Sequence, residues 1–284
     1  MKWQGRRGSR NIEDRRGSRG GAARIGGAGG IGVLVIVLIG WFLGVDTSFL
    51  TDPQGGAPVS QTGYQPAGQD DAAAQFVSVV LADTEQVWSG IFESQLGQRY
   101  DPPVLVLFSG VTPSACGNAS GATGPFYCPV DQKVYLDTAF FAELRQRFGA
   151  NGDFAAAYVV AHEVAHHVQD ELGILGKTTD LRQRVSEADS NAISVMVELQ
   201  ADCLSGVWAR AAQSQLGTLE RGDLEEALNA AGRIGDDTLQ RQSGRVPRPD
   251  SFTHGSSEQR QRWFAQGYQS GDIGGCDTFG ASAL

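Results

Sequence analysis

At 284 residues the chain is long enough for one sizeable domain with appendages. Its 23 basic and 32 acidic residues leave a formal charge of −9, which excludes a body built to hold a phosphate backbone. The charge is unevenly spread. Lys2, Arg6, Arg7, Arg10, Arg15, Arg16, Arg19 and Arg24 crowd residues 1–24 against only Glu13 and Asp14, so the acidic excess lies beyond them.

A basic tail of this kind suits an anionic membrane face or nucleic acid, and the stretch that follows points to the membrane. Ile25 to Val45 carries no charge, and as a helix it would span about 31 Å, the hydrocarbon thickness of a bilayer. The orientation rule predicts residues 1–24 as a basic cytoplasmic tail and 25–45 as a single transmembrane anchor, with Trp41 near the far interface and an exported body. No small-x-small site follows the apolar run, which argues for an anchor over a cleaved signal. Gly27, Gly29 and Gly32 match GxGxxG, but an Arg/Gly/Ser tail stands where the dinucleotide motif needs a strand. Residues 46–69, rich in Gly, Pro, Ser, Thr and Gln, read as a linker, and 70–284 as the folded domain.

Within that domain a helical pattern runs from Asp70 to Leu96, with Phe76, Val79, Val80, Val87, Trp88 and Ile91 as core positions. Pro103 to Phe108 and Lys133 to Asp137 read as strands, and Thr138 to Phe148 as a helix. Further helices are predicted over 153–173 (ending at Gly173), 185–212, 223–241 and 258–267, with a Pro- and Arg-containing loop at 244–251. The expected class is α+β, mostly helical, with a small sheet.

Residues 162–167 read His-Glu-Val-Ala-His-His, and the preceding Phe154–Ala161 is apolar without Gly or Pro, so the motif belongs on a buried helix. Positions i and i+4 of a helix lie one above the other. His162 and His166 therefore present two imidazoles to one point, with Glu163 beside them. That pair suits Zn²⁺, and the adjacent carboxylate suits proton removal from water. Two imidazoles and a carboxylate in an apolar helix would be costly without such a partner. His167, turned about 100° from its neighbour, reads as structural or supporting.

A catalytic zinc keeps three protein ligands. Glu198 and Asp202 share a face of the long helix, so one can complete the set while the other hydrogen-bonds a ligand histidine. Three of the four histidines lie in the motif and the fourth is His254. Cys116, Cys128, Cys203 and Cys276 all follow the apolar stretch, on the side expected to be oxidising, which makes two disulfides the default reading. Cys116 and Cys128 bracket a Gly/Ser-rich stretch that favours a local loop, leaving Cys203 for Cys276. Free thiols or a zinc cluster are the alternatives, and no CxxC spacing supports a cluster.

His162–His167, Glu198–Cys203, Gly206-Val-Trp208, Phe252–Ser257, Gly124–Pro129 and Tyr135–Asp137 together resemble the bacterial neutral zinc metallopeptidase family. The resemblance extends to the basic tail and the apolar stretch. More distantly, the chain is similar to gluzincin proteases of the HtpX and CAAX-processing type. The resemblance implies a zincin-like catalytic domain in which Glu198 is the third ligand of one zinc and Asp202 backs a ligand histidine. It also implies a transition-state role for His254 with Arg260 following it, although Gly255 stands where those relatives have proline.

The chemistry expected is hydrolysis of a peptide or protein substrate. Zn²⁺ would be held by His162, His166 and Glu198, with Glu163 as general base and the Lys133–Asp137 strand as a docking edge. A membrane-anchored assembly factor with a structural zinc, and a hydrolase of cell-wall amides, are the rival readings. An intact Glu163 favours an enzyme over the first, since a structural site needs no base.

Overall fold

In a computed structural model, residues 1–16, 72–120 and 124–284 are described. Helix α1 (Ala72–Ile91) continues into a π-helical turn, Phe92–Leu96, that ends on Gly97 in the left-handed region. All six core positions expected on α1 are buried. Behind it lies a four-stranded sheet of order β1-β2-β6-β5, made of β1 (Ile12–Asp14), β2 (Val104–Phe108), β5 (Phe126–Cys128) and β6 (Lys133–Asp137). β1 and β2 run parallel, β2 and β6 parallel, and β5 antiparallel to β6. A separate hairpin joins β3 (Val111–Ser114) to β4 (Gly117–Ser120).

Helix α2 (Phe140–Gln146) leads to α3 (Asp153–Glu171), which carries the histidine motif and is buried along most of its length. Gly173 then takes a left-handed φ of 69° and redirects the chain into α4 (Ile174–Arg182). Ser186 caps α5 (Glu187–Ala211) by accepting from the Asp189 amide. After α6 (Asp223–Arg233) and α7 (Asp236–Gln242), a capping box of Ser256 and Gln259 starts α8 (Ser257–Ser270). The backbones of α5 and α8 touch: a Cβ on Gly206 would stand 2.1 Å from the Phe264 carbonyl oxygen, and one on Gly267 would stand 1.8 Å from that of Cys203. Only glycine fits at such an approach.

The observed class is α+β, mostly helical with small sheets, but four expectations need correction. First, residues 1–16 are not a tail separate from the domain. Met1–Arg16 belongs to one compact unit with Asp70–Leu284, and β1 closes one edge of the main sheet. The strand escaped notice because Ile12-Glu13-Asp14 is short and bears charges that pair locally: Glu13 accepts from Arg15 at 2.9 Å and from Lys133 at 2.8 Å. Second, Lys133–Asp137 is an interior strand, and among the described residues the edge strand on its side is β5. Third, the helix expected over 223–241 is two helices broken at Ile234-Gly235. Gly235 lies against Ser257, where a Cβ would come 2.3 Å from the backbone nitrogen. Fourth, α4 and the β3–β4 hairpin had no periodicity to reveal them. The anchor at 25–45 and the linker at 46–69 fall outside the described residues, and among the described ones no helix is long and apolar enough to cross a membrane.

Candidate metal centre

Two helices build the centre. α3 supplies His162 and His166, whose ring planes stand at 89° with centroids 4.8 Å apart, and α5 supplies Glu198. The Glu198 carboxylate lies 3.1 Å from His162 Nε2 and 3.5 Å from His166 Nε2. One donor atom from each of the three falls within 4.8 Å of the others. Two imidazoles and one carboxylate are the donor set that suits zinc with a position left open.

Each imidazole is fixed from behind, the support that a metal-ligating histidine would need. His162 Nδ1 donates to Asp202 Oδ1 at 2.9 Å, which turns Nε2 toward Glu198. Asp202 is fully buried and accepts as well from Arg260 Nε at 2.8 Å, Arg260 Nη2 at 3.0 Å and the Tyr158 hydroxyl at 2.5 Å. Asp202 and Arg260 are thus a buried ion pair that reaches His162. His166 Nδ1 donates to Gln169 Oε1 at 2.8 Å. Gln169 spends its amide protons on the Val197 carbonyl at 2.8 Å and on Gln200 Oε1 at 3.0 Å. The reading from sequence missed Gln169, although its i+3 spacing from His166 was a signal, and missed Tyr158 one turn before His162.

The electrostatics follow from this packing. Burial alone would lower the pKa of His162, but the carboxylates of Asp202 and Glu198 lift it to about 10. Burial would raise Glu198, but His166 and His162 hold it well below the carboxylate range. Asp202 is likewise held down by Arg260 and His162 against its burial. Glu163 goes the other way: burial raises its pKa, and the neighbouring histidines only partly offset that. A carboxylate shifted upward is a better proton acceptor near neutral pH.

His162, Glu163, His166, Glu198 and His254 line one cleft of about 470 Å³, with Phe126 and Tyr127 of β5 on its wall. His254 is half-exposed. It is held by Asp236, which the sequence reading did not single out: Asp236 Oδ1 lies 3.3 Å from His254 Nδ1, and Oδ2 accepts from the amides of Thr253, His254 and Gly255 at 2.7, 2.7 and 3.1 Å. Desolvation opposes protonation of His254, but Asp236 outweighs it and the pKa is raised. Gly255, at φ 91°, packs its Cα side against Leu199 and Val195.

His167 faces away from this cluster. Its Nε2 donates to the Asp101 carbonyl at 2.7 Å, its Nδ1 lies 3.1 Å from the Tyr127 hydroxyl, and burial keeps its pKa low. It ties α3 to β5 and to the loop before β2. Both disulfides pair as the spacing suggested, Cys116 with Cys128 and Cys203 with Cys276. The first braces β5 at the cleft wall, and the second holds the C-terminal tail to α5.

A helical HExxH pair joined by a glutamate from a second helix could hold a metal ion, and it is the donor arrangement of the zinc-peptidase class. The chain belongs to the family described as "Putative neutral zinc metallopeptidase", whose model matches residues 1–279. It is 50% identical to "Uncharacterized protein YpfJ" of Escherichia coli K12 over 292 aligned positions, covering 99% of this chain and 100% of that protein. It is also 46% identical over 195 positions to "Uncharacterized protein Rv2575" of Mycobacterium tuberculosis, covering 65% of each. No solved structure matches it.

Proposed function

We propose that the protein is a zinc-dependent peptidase, a gluzincin-like enzyme that hydrolyses peptide bonds inside peptide or protein substrates. The observation that carries this reading is the convergence of His162, His166 and Glu198 in a cleft that also holds the upward-shifted Glu163. Zn²⁺ held by these three residues would lower the pKa of a coordinated water to about 7 and polarise the scissile carbonyl. Glu163 takes the proton of the attacking water and passes it to the leaving amine. His254, whose charged form the Asp236 carboxylate favours against its burial, donates to the developing oxyanion. Substrate pairs with the free edge of β5, which gives main-chain binding tolerant of sequence. Phe126 and Tyr127 form the adjoining wall.

The two disulfides support an oxidising compartment, and we place the domain on the extracytoplasmic side of a bacterial inner membrane. The test uses the purified full chain: metal by elemental analysis and turnover of casein or quenched peptides. One zinc per chain is expected, lost in His162→Ala, His166→Ala or Glu198→Ala, while Glu163→Gln keeps the metal and loses turnover. Stoichiometric zinc without hydrolysis of any peptide would favour a structural metal and end the peptidase reading.

A further inference from the structure

Helix α4 lines the cleft with Leu175, Thr179 and Arg182, which follow the spacing of one helical face. Arg182 stands in the last turn of α4 and is half-buried. Its Nη1 donates to the Ser194 hydroxyl at 3.0 Å and its Nη2 to the Thr179 hydroxyl at 3.3 Å. Ser194 gives its own proton to the Ser190 carbonyl at 3.1 Å, so toward Arg182 it is an acceptor only. Both partners are neutral, and among the described residues no carboxylate forms an ion pair with Arg182. The other arginine of the cleft, Arg260, is spent on Asp202, and His254 faces Asp236. A basic residue in a last helical turn complements the helix dipole, a role that asks for no partner on a second helix. Here a hydroxyl of α5 holds the guanidinium at the cleft.

Ser194 also fixes where that charge sits. It lies one helical turn before Glu198 on α5, which sets its position about 6 Å along the helix axis from that of Glu198. The Glu198 carboxylate itself is turned to His162 and His166, at 3.1 and 3.5 Å. An extended peptide advances about 3.3 Å per residue, so a chain bound over the centre meets Arg182 about two residues from the carbonyl under attack. A guanidinium has more N–H donors than two hydroxyls use, and its planar fork matches a carboxylate. The surrounding wall is apolar, with Phe126, Phe140, Leu175, Ile234 and Leu239 on the same cleft. A charge pair formed there is stronger than one in open water. We propose that Arg182 determines specificity, selecting peptides with a carboxylate about two residues from the scissile bond and apolar side chains beside it. That carboxylate belongs to an aspartate or glutamate side chain or to the chain terminus. The proposal rests on the peptidase reading only in taking a peptide as the occupant of the cleft.

The experiment reads binding apart from turnover. Fluorescent peptides rich in Phe, Leu and Ala, blocked as C-terminal amides, carry one Glu, Gln or Lys scanned along their length. A further Gln peptide keeps a free C-terminal carboxylate. Each is titrated into the full chain bearing Glu163→Gln, with Arg182 intact or replaced, and fluorescence anisotropy is recorded. A peptide with its carboxylate at the matching position should bind about 10-fold tighter than its amidated Gln twin, as a charge-assisted pair does. The preference should vanish in Arg182→Gln and return in part in Arg182→Lys. In Arg182→Glu it should turn toward the Lys peptide, and zinc content should be unchanged in all three. A lead for the Glu peptide marks a side-chain carboxylate, and a lead for the free C-terminus marks a chain end. Equal binding of the whole set with Arg182 intact, no binding of any peptide, or a preference that survives Arg182→Gln would overturn the proposal. A preference without cleavage of any peptide by the native chain would end the peptidase reading and leave this one standing. Cleavage of Glu and Gln peptides with equal binding of both would do the reverse.

Discussion

Gln200 donates its side-chain amide to the carbonyl of Cys276 at 3.0 Å. Its own oxygen accepts from Gln169, whose oxygen accepts from His166. An unbroken hydrogen-bonded chain therefore joins the His166 imidazole to the tail held by the Cys203–Cys276 disulfide. Gln169 is fully buried, so each of its bonds replaces one it would otherwise make to water. Losing the partner of a metal-ligating histidine typically weakens metal binding 10–100-fold. Gln169→Leu should lower zinc affinity by about that factor in a chelator competition, whereas Gln169→Glu, which keeps an acceptor for His166, should lose less. Equal affinity in Gln169→Leu and the parent would show that His166 needs no such support.

The disulfide at the end of this chain closes a loop with a sequence separation of 73. The chain-entropy model assigns such a loop about 4 kcal/mol, although engineered bonds often deliver less. Cys203→Ala with Cys276→Ala should lower the denaturation midpoint substantially in guanidinium. It should also weaken zinc binding, because Gln200 loses a fixed acceptor. An unchanged midpoint would mean that the α5–α8 packing, with Gly206 and Gly267 back to back, holds the tail alone.

The metal-free centre should show a defined pH dependence. Asp202 has a folded pKa below its ordinary value, so its contribution to stability is complete above about pH 4 and is lost as pH falls through the lower folded value. His162 has a folded pKa raised to about 10, so its contribution is complete below about pH 6.5 and is lost as pH rises through 10. Together they favour a stability plateau between about pH 4 and 6.5. Asp202→Asn should flatten both limbs. At neutral pH His162 enters as an imidazolium, so zinc uptake should release a proton, visible as buffer-dependent heats in calorimetry. Uptake heats that do not vary with the buffer would mean that His162 is already neutral.

The elements of this site differ in how visible they were beforehand. His162 and His166 sit on a long apolar helix where i,i+4 spacing fixes geometry, and Glu198 and Asp202 repeat that spacing on a second helix. Helical periodicity is local, so these positions could be read without knowing the fold. The cysteine pairing followed from spacing and from having few alternatives. What was hidden depended on contacts between distant segments. β1 is a strand only because β2 offers an edge, and its charges and basic surroundings gave the appearance of a free tail. Among the described residues the edge strand at the cleft is β5 rather than β6, which a β-branched run cannot disclose. Asp236 lies inside what looked like one helix, and only the approach of the His254 loop gives its carboxylate three amides to hold.

That last contact leads to a prediction about catalysis. Asp236 accepts from the backbone of residues 253–255 and faces His254 Nδ1, so it both shapes the loop and sets the charge of the ring. With Asp236 ionised, the raised pKa of His254 keeps the imidazolium, the form able to donate to an oxyanion, to higher pH. Replacing the carboxylate removes that support, leaves desolvation opposed by less, and should lower the His254 pKa. In Asp236→Asn the alkaline limb of kcat/KM should therefore move to lower pH, with the acid limb, which the proposed mechanism assigns to Glu163, unmoved. His254→Ala should lose the alkaline limb and reduce turnover by about 10²–10³-fold, the usual cost of one oxyanion donor, while retaining zinc. A pH profile that keeps its alkaline limb in both variants would assign that limb to another group and remove His254 from the reaction.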